Sequence, residues 1–428
     1  MTAFFGSRNC SRPRLVLGDF MIDSFSQVSS EELLQLAEDR IFSLGPRDLA
    51  SALSYQNMRY GLGKMIYALE DDAYCVFGPD ATITRNKGRW TSGYGYGGVI
   101  HWKDENVTFP DLRPNGCGML LMGLHDLPAR DELVKRAAQL NDRNPVLDDI
   151  EVEPDLGAGN HFLEFYEPMQ ISKELPGTLS SYDYFAILHG SGPELKEEIY
   201  SYADGGNKVE TPLGETTVLY GDEADGYYAK WEKLESFSKR RRELLAEKVV
   251  ETYDPISNYT HQGLFSRNEA RLGCYDTMDG SGGNHLFPLT LRWDTPVYIF
   301  KGESNLSEEV LQRLGFLERA ERLGLEEDLK EINILPHGGG YEIELDYQNI
   351  EVTNTELGNV FTLSNPEPAV RVDEVEAETG VTEFGGMSIT NPRELPYTYR
   401  GKKVVRKAME FDLSNLVGKL RPLMTLKI

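Results

Sequence analysis

The sequence is short of cysteine, of positive charge and of long apolar runs, and each shortage removes a class of protein. Its four cysteines (Cys10, Cys75, Cys117 and Cys274) are scattered through 428 residues and never stand as Cys-x-x-Cys. That spacing excludes a zinc ribbon or a disulfide framework as the basis of the fold. Against 69 Asp and Glu there are 44 Lys and Arg, a formal net charge of −25. A general nucleic-acid coat neutralises phosphate with Lys and Arg, so any polyanion must meet a local basic patch. No apolar run approaches the roughly 20 residues that cross a bilayer, and Met1 to Asn9 lacks the apolar core of a secretory signal. The expectation is a cytoplasmic protein with no membrane partner.

What is present is an ordinary globular composition, 40% hydrophobic and 26% charged. With no internal repeat, low-complexity linker or clear boundary, a single large interwoven α+β domain with mixed sheets and surrounding helices is the economical reading. Ser29 and Ser30 open a predicted helix with Leu33, Leu34, Ala37 and Ile41 on one stripe, stopping at Gly45-Pro46, and a second runs from Pro46 towards Leu69. Residues 1–72 thus read as a helical N-terminal region packed on the core. Further helices are expected from Ala129 to Leu140, from Asp225 to Tyr253 with Trp231, Leu234, Leu245 and Val249 inward, and as one or two charged helices from Ser307 to Lys330. The glycine–aromatic run Ser92 to Ile100 reads as a series of turns. Strands are expected around Val370, Val372 and Val375 and from Leu423 to Ile428, with a turn at Pro396 to Arg400. Lys239-Arg240-Arg241-Arg242, the densest basic cluster, reads first as a solvated helix face balanced by Glu235, Glu243 and Glu247.

Histidine is rare too, seven in all, and that makes its placement informative. His161, His189, His261 and His337 stand at glycine-rich or polar loop junctions, three of them beside an apolar strand. The stretch Asp155 to Glu164 joins glycines, Asn160, His161 and a carboxylate between apolar runs, while Cys117 lies between two glycines. Together they form a Cys/His ligand set, which points first to zinc and leaves iron, nickel or manganese open.

The order of these segments resembles the RtcB family, the GTP- and manganese-dependent RNA ligases that join a 3′-phosphate or 2′,3′-cyclic phosphate end to a 5′-hydroxyl end. Gly157-Ala158-Gly159-Asn160-His161-Phe162-Leu163-Glu164 resembles the family's Gly-x-Gly-Asn-His-Phe-hydrophobic-Glu signature. Asn115-Gly116-Cys117-Gly118 is similar to its cysteine metal motif, His189-Gly190-Ser191-Gly192 to its His-Ser-Gly-Ser-Arg loop, and His261-Gln262 to its His-Asn pair. Pro336-His337-Gly338-Gly339-Gly340 is similar to the box whose histidine takes up GMP, and Glu394 to Arg400 and Leu420 to Lys427 resemble the family's tail.

The resemblance spans roughly 73–428 and implies a catalytic domain there, with RNA ends as substrate. It implies His337 as the nucleophile and Cys117, His161, His189 and His261 as ligands of one or two Mn2+ ions, Cys117 being shared. It also implies GTP as cofactor, with Asn160, Glu164, Gly338, Gly339, Tyr399 and Lys427 around the nucleotide. Whether an activating protein partner takes part is open. The chain departs from the pattern at several points: Pro114 stands where a metal-binding Asp is expected, leaving Asn115 or Asp111 to substitute. Pro193-Glu194 replaces an arginine, His285 another, Tyr341 a third, and a guanine-holding loop is missing before Val297. Lost cations leave two alternatives: a metal-dependent phosphotransferase or hydrolase acting on a smaller molecule, or a non-catalytic metal-binding regulatory paralogue.

Overall fold

Eleven segments with apolar residues at every second position, or throughout, build one sheet: β1 (Ile41–Ser43), β2 (Ala73–Thr82), β3 (Tyr96–Trp102), β4 (Cys117–Leu124), β5 (Phe162–Ile171), β6 (Tyr184–Gly190), β7 (Asp254–Ser266), β8 (Glu269–Leu272), β9 (Leu286–Leu289), β10 (Val297–Lys301) and β11 (Asn415–Leu426). This computed structural model describes residues 16–17, 20–21, 25–157, 159–173, 179–345, 347, 349–356, 358–364 and 386–427. The strand expected around Val370 to Val375 lies outside the described residues. The sheet order is β9-β10-β11-β5-β6-β4-β7-β8-β3-β2-β1. Every neighbouring pair is antiparallel except β1 with β2, so the fold is α+β around one mixed sheet.

The central strands are buried on both faces, and their alternation sorts two cores. Leu120, Met122 and Leu124 of β4 join Phe237, Leu245 and Val249 of a long helix, α3 (Asp222–Val249, with α1 and α2 below). Met119 and Leu121 point the other way, onto Leu286 of β9 and Ile299 of β10, because the sheet curls. The helix α3 starts three residues before the sequence expectation, and the expected inward residues Trp231, Leu234, Leu245 and Val249 are all buried.

At the N-terminal side α1 (Ser30–Asp39) begins with a capping box between Ser29 and Glu32, and α2 (Leu49–Leu69) is capped by Asp48. Their residues Leu33, Leu36, Met58 and Met65 share a cluster with Phe77 of β2 and Trp102 of β3. The first helix ends at Asp39, earlier than expected, because Ile41 and Phe42 enter the sheet as β1. Three other expectations change for local reasons. Residues 307–330 form three short helices, broken at Gly315 and Gly324, which both take positive φ. The supposed turns after Ser92 include β3, and the supposed turn at 396–400 contains the strand Tyr397–Tyr399, paired with Tyr341–Ile343.

Candidate functional site

Four adjacent strands, β5-β6-β4-β7, bring the expected ligands to one end of the sheet. Cys117 opens β4 after a turn in which Gly116 takes φ +70 and Asn115 Oδ1 accepts the Cys117 N–H at 2.9 Å. His161 immediately precedes β5, whose Phe162 is paired with His189 of β6. On β7, Thr260 pairs with Gly118 and Gln262 with Cys117, so His261 falls in a register shift. Such a bulge re-aims a side chain relative to the regular alternation.

Cys117 Sγ lies 3.0 Å from His189 Nε2 and 3.7 Å from His161 Nε2, and the Nε2 atoms of His189 and His261 are 3.3 Å apart. Tetrahedral ligation at ordinary zinc bond lengths sets S–N separations of about 3.5 Å and N–N separations of about 3.3 Å. The N–N spacing matches this and the S–N spacing to His189 is shorter by about 0.5 Å, so the donor set lies near the arrangement that a single divalent ion needs. Cys117, His189 and His261 are buried with their ligand atoms within 4.8 Å of one another, so this Cys/His/His group could hold a metal ion; His161 borders it through Cys117. Burial opposes a Cys117 thiolate, but the neighbouring His189 charge and hydrogen bonds from the three imidazoles outweigh it and hold the thiol well below its usual range. Burial and the facing His337 push His261 well below the ordinary imidazole value, which favours the neutral ring that a metal requires.

Behind the ligands lies a hydrogen-bonded layer that the sequence reading missed. His189 Nδ1 donates to Asn160 O at 2.9 Å, and His161 Nδ1 to Asp155 Oδ2 at 2.5 Å. Burial works against a charged His161, but Asp155 and Cys117 overcome it and raise its pKa to about 9. Asp155 is in turn held by Arg241 at 2.9 Å, and Arg241 also reaches Glu194 Oε1 at 2.9 Å and Glu153 O at 2.6 Å. Its neighbour Arg242 donates to Gly116 O at 3.2 Å, Gly190 O at 3.0 Å and Asn258 Oδ1 at 2.7 Å. These acceptors adjoin Cys117 and His189 in sequence or precede His261 by three residues. The solvated-face reading therefore holds for Arg240, holds only in part for Lys239, which is partly buried beside Glu235, and fails for Arg241 and Arg242, which are fully buried. Successive helical residues are about 100° apart around the axis, so α3 turns one pair outward and the other onto the metal end of the sheet.

His337 enters from another side, after the short strand Ile334–Pro336 that pairs with Cys274–Asp276. Its ring centroid is 4.2 Å from that of His261. Nδ1 donates to Gly273 O at 2.5 Å, and Asp80 Oδ2 faces the same nitrogen at 3.3 Å. Asp80 is buried in β2 and its carboxylate has no hydrogen-bond partner among the described residues. A carboxylate within the apolar run Ala73 to Thr82 was the available signal, because an unpaired charge is costly to bury. The backbone after His337 is crowded: a Cβ on Gly339 would come within 2.3 Å of Arg400 O, and Gly340 has φ +63.

A cavity of about 490 Å³ opens beside His337. Asn160, Glu164, His189, Gly338, Gly339, Tyr399 and Lys427 line it, whereas Cys117, His161 and His261 are not among its wall residues. The Tyr399 ring lies 5.0 Å from that of Tyr341, and Lys427 Nζ donates to Gly159 O at 3.3 Å. Burial raises the Glu164 pKa; its carboxylate accepts from Tyr166 and from Thr425 Oγ1, the latter at 3.3 Å. Of the two candidates to replace the missing Asp ligand, Asn115 lines the cavity. Asp111 is committed to structure, accepting from Thr217 N at 2.8 Å and Thr217 Oγ1 at 3.2 Å. No family model matches the chain and no curated protein matches it, so the likeness to a known family is carried by the motifs alone.

Proposed function

We propose that the protein is an RtcB-like RNA ligase, joining RNA 3′-phosphate or 2′,3′-cyclic phosphate ends to 5′-hydroxyl ends through a GMP–His337 intermediate. One observation carries this reading: a histidine lies against the imidazoles of the Cys/His cluster, its Nδ1 engaged by Gly273 O and facing Asp80, on a ring that lines the cavity of about 490 Å³. That hydrogen bond fixes the tautomer with Nδ1 protonated and leaves the Nε2 lone pair as the nucleophile. Nε2 attacks the α-phosphorus of GTP; the N–P bond forms as the P–O bond to pyrophosphate breaks. The ring gains positive charge while keeping its Nδ1 proton, and the buried Asp80 carboxylate facing that nitrogen offsets the charge. An RNA 3′-phosphate oxygen then displaces the imidazole from GMP, and a 5′-hydroxyl displaces GMP in turn, so one hard exchange is divided into easier ones.

Cys117, His189 and His261, with His161 beside them, would hold a divalent ion such as manganese, which would supply charge neutralisation for a departing pyrophosphate. Around the cavity Asn160 and Glu164 face the nucleotide, Tyr399 offers a ring to its base, and Lys427 a cation.

A second reading, a phosphotransferase or hydrolase of a smaller phosphorylated molecule, is favoured by Glu194 and Tyr341 standing where the family has arginines. Incubation with α-labelled GTP and Mn2+, followed by denaturing electrophoresis, separates the two. An acid-labile label on the parent and none on His337→Ala is the expected result; an unlabelled parent passes the site to the second reading.

A further inference from the structure

Trp293 differs from the other three tryptophans in every respect that matters for packing. Trp90, Trp102 and Trp231 are buried, and their indole N–H groups donate to the carbonyls of Thr390, Val107 and Leu264 at 3.0, 2.8 and 2.7 Å. Trp293 is 65% exposed, on the hairpin between β9 and β10. No packing requirement explains an indole in that position, since leaving so much apolar surface in water forgoes the stabilisation its burial would give.

Its position supplies a reason. Trp293 lines both the cavity beside His337 and a second cavity of about 640 Å³ walled by Leu127, Pro128, Leu423 and Met424. The two cavities share the Trp293 indole as a wall, which places that ring between the space beside His337 and the second cavity. The charge of their lining runs against that of the chain. Its basic residues are Arg85, Arg89, Arg130, Arg292 and Lys427, against Glu164 and Asp294, the latter engaged by Arg292 at 2.6 and 2.8 Å. Overall the chain carries 44 basic and 69 acidic residues, so a basic excess in this lining selects for an anionic occupant. A mononucleotide needs only the cavity beside His337. The second cavity, mostly apolar in its walls with Arg130 at its edge and Asp294 engaged by Arg292, suits the bases of a chain joined by phosphates, for which aromatic stacking plus backbone charge pairing is the general mode of binding.

We propose that the two cavities serve as one groove for the single-stranded RNA adjoining the reacting end, with one base stacked on Trp293 and neighbouring phosphates facing Arg130, Arg292 and Lys427. The inference rests on the reading of His337 as the group that activates an RNA end, and its test is separable from that reading. Because the other tryptophans are buried, quenching of indole emission reports on Trp293. The full-length protein is titrated with a short single-stranded oligoribonucleotide carrying a 3′-phosphate, beside Trp293→Leu, with GTP labelling of the parent run in parallel.

Saturable quenching in the parent is expected, with no quenching in Trp293→Leu and affinity for a dye-labelled oligonucleotide about ten-fold weaker in the variant, within the range of one base–aromatic stack. Arg130→Gln should lower the slope of log affinity against log salt by about 0.7, the value of one single-strand phosphate contact. Absence of quenching, or equal affinity in Trp293→Leu, overturns the groove even if GMP labelling succeeds. Quenching without GMP labelling supports the groove and overturns the guanylylated His337 instead. The exposed Trp293 site lets Trp293→Leu fold, which its melting temperature checks.

Discussion

The floor and the mouth of the cleft are built by opposite means. The floor ligands Cys117, His189 and His261 sit on adjacent strands of a buried sheet, and α3 braces them from behind through Arg241 and Arg242. The mouth is formed by a hairpin, a two-stranded pairing and the end of the terminal strand, and it presents Trp293, Tyr399 and Lys427. Metal ligation tolerates errors of tenths of an ångström, which strands and a braced helix can hold. Stacking on an aromatic face tolerates much more, and loops suffice for it. The most severe way to break the comparison is to remove the brace. Arg241→Met leaves Asp155 and Glu194 without their buried cation, and breaking a buried ion pair costs about 3–5 kcal/mol. Denaturant unfolding of the metal-free protein checks this, and a loss below about 1 kcal/mol would detach α3 from the floor's stability.

A milder cut tests whether the brace serves the metal as well as the fold. Asp155→Asn keeps a hydrogen-bond acceptor for His161 Nδ1 but removes the charge that binds Arg241. Loss of such outer partners weakens metal binding about 10- to 100-fold. Competition with a chromophoric chelator measures this, with Cys117→Ala beside it as the variant that loses a ligand outright. Equal affinity in Asp155→Asn and the parent would leave His161 outside the coordination.

How much of this contrast was legible in the sequence follows from what each part depends on. Cys117, His161, His189, His261 and His337 were readable because glycine-rich junctions mark places where the backbone turns at a strand end. The α+β class was equally readable from the mixture of helical stripes and alternating strands. Strand order was not, since nothing local in β4 states that β6 and β7 flank it. Arg241 and Arg242 were misread for the same reason: a charged helical stretch looks solvated until the sheet beneath it is known. Asp80 carried a signal in its apolar run, but the partner that explains it is 257 residues away, at His337. Trp293 carried none, because exposure belongs to the assembled surface.

Between floor and mouth lies Glu164, and its titration sharpens where one ends and the other begins. Burial holds its carboxyl above the usual range in the folded protein, while in the unfolded chain it titrates near 4.3. Between those two values the folded state binds more protons than the unfolded one, so stability falls as pH rises through the window and the deficit persists above it. Glu164→Gln should therefore raise the melting temperature at pH 7, and the gain should vanish below about pH 4. A gain that does not depend on pH would assign the effect to packing.

The smallest expected effect comes from the outer half of the same basic run. Arg240 pairs with Asp148, both about half exposed, and Lys239 pairs with Glu235 and Ser281 at the surface. Surface pairs of this kind are worth about 0–1 kcal/mol. The double variant Lys239→Gln, Arg240→Gln should unfold within about 0.5 kcal/mol of the parent, bind metal equally well and quench with oligonucleotide as the parent does. The four residues 239–242 then divide cleanly: two neighbours whose loss is nearly silent, and two whose loss is felt at the floor. Should the outer pair instead weaken oligonucleotide binding, the RNA path would run along α3 and away from Trp293, and the mouth would have to be redrawn on the opposite side of the cleft.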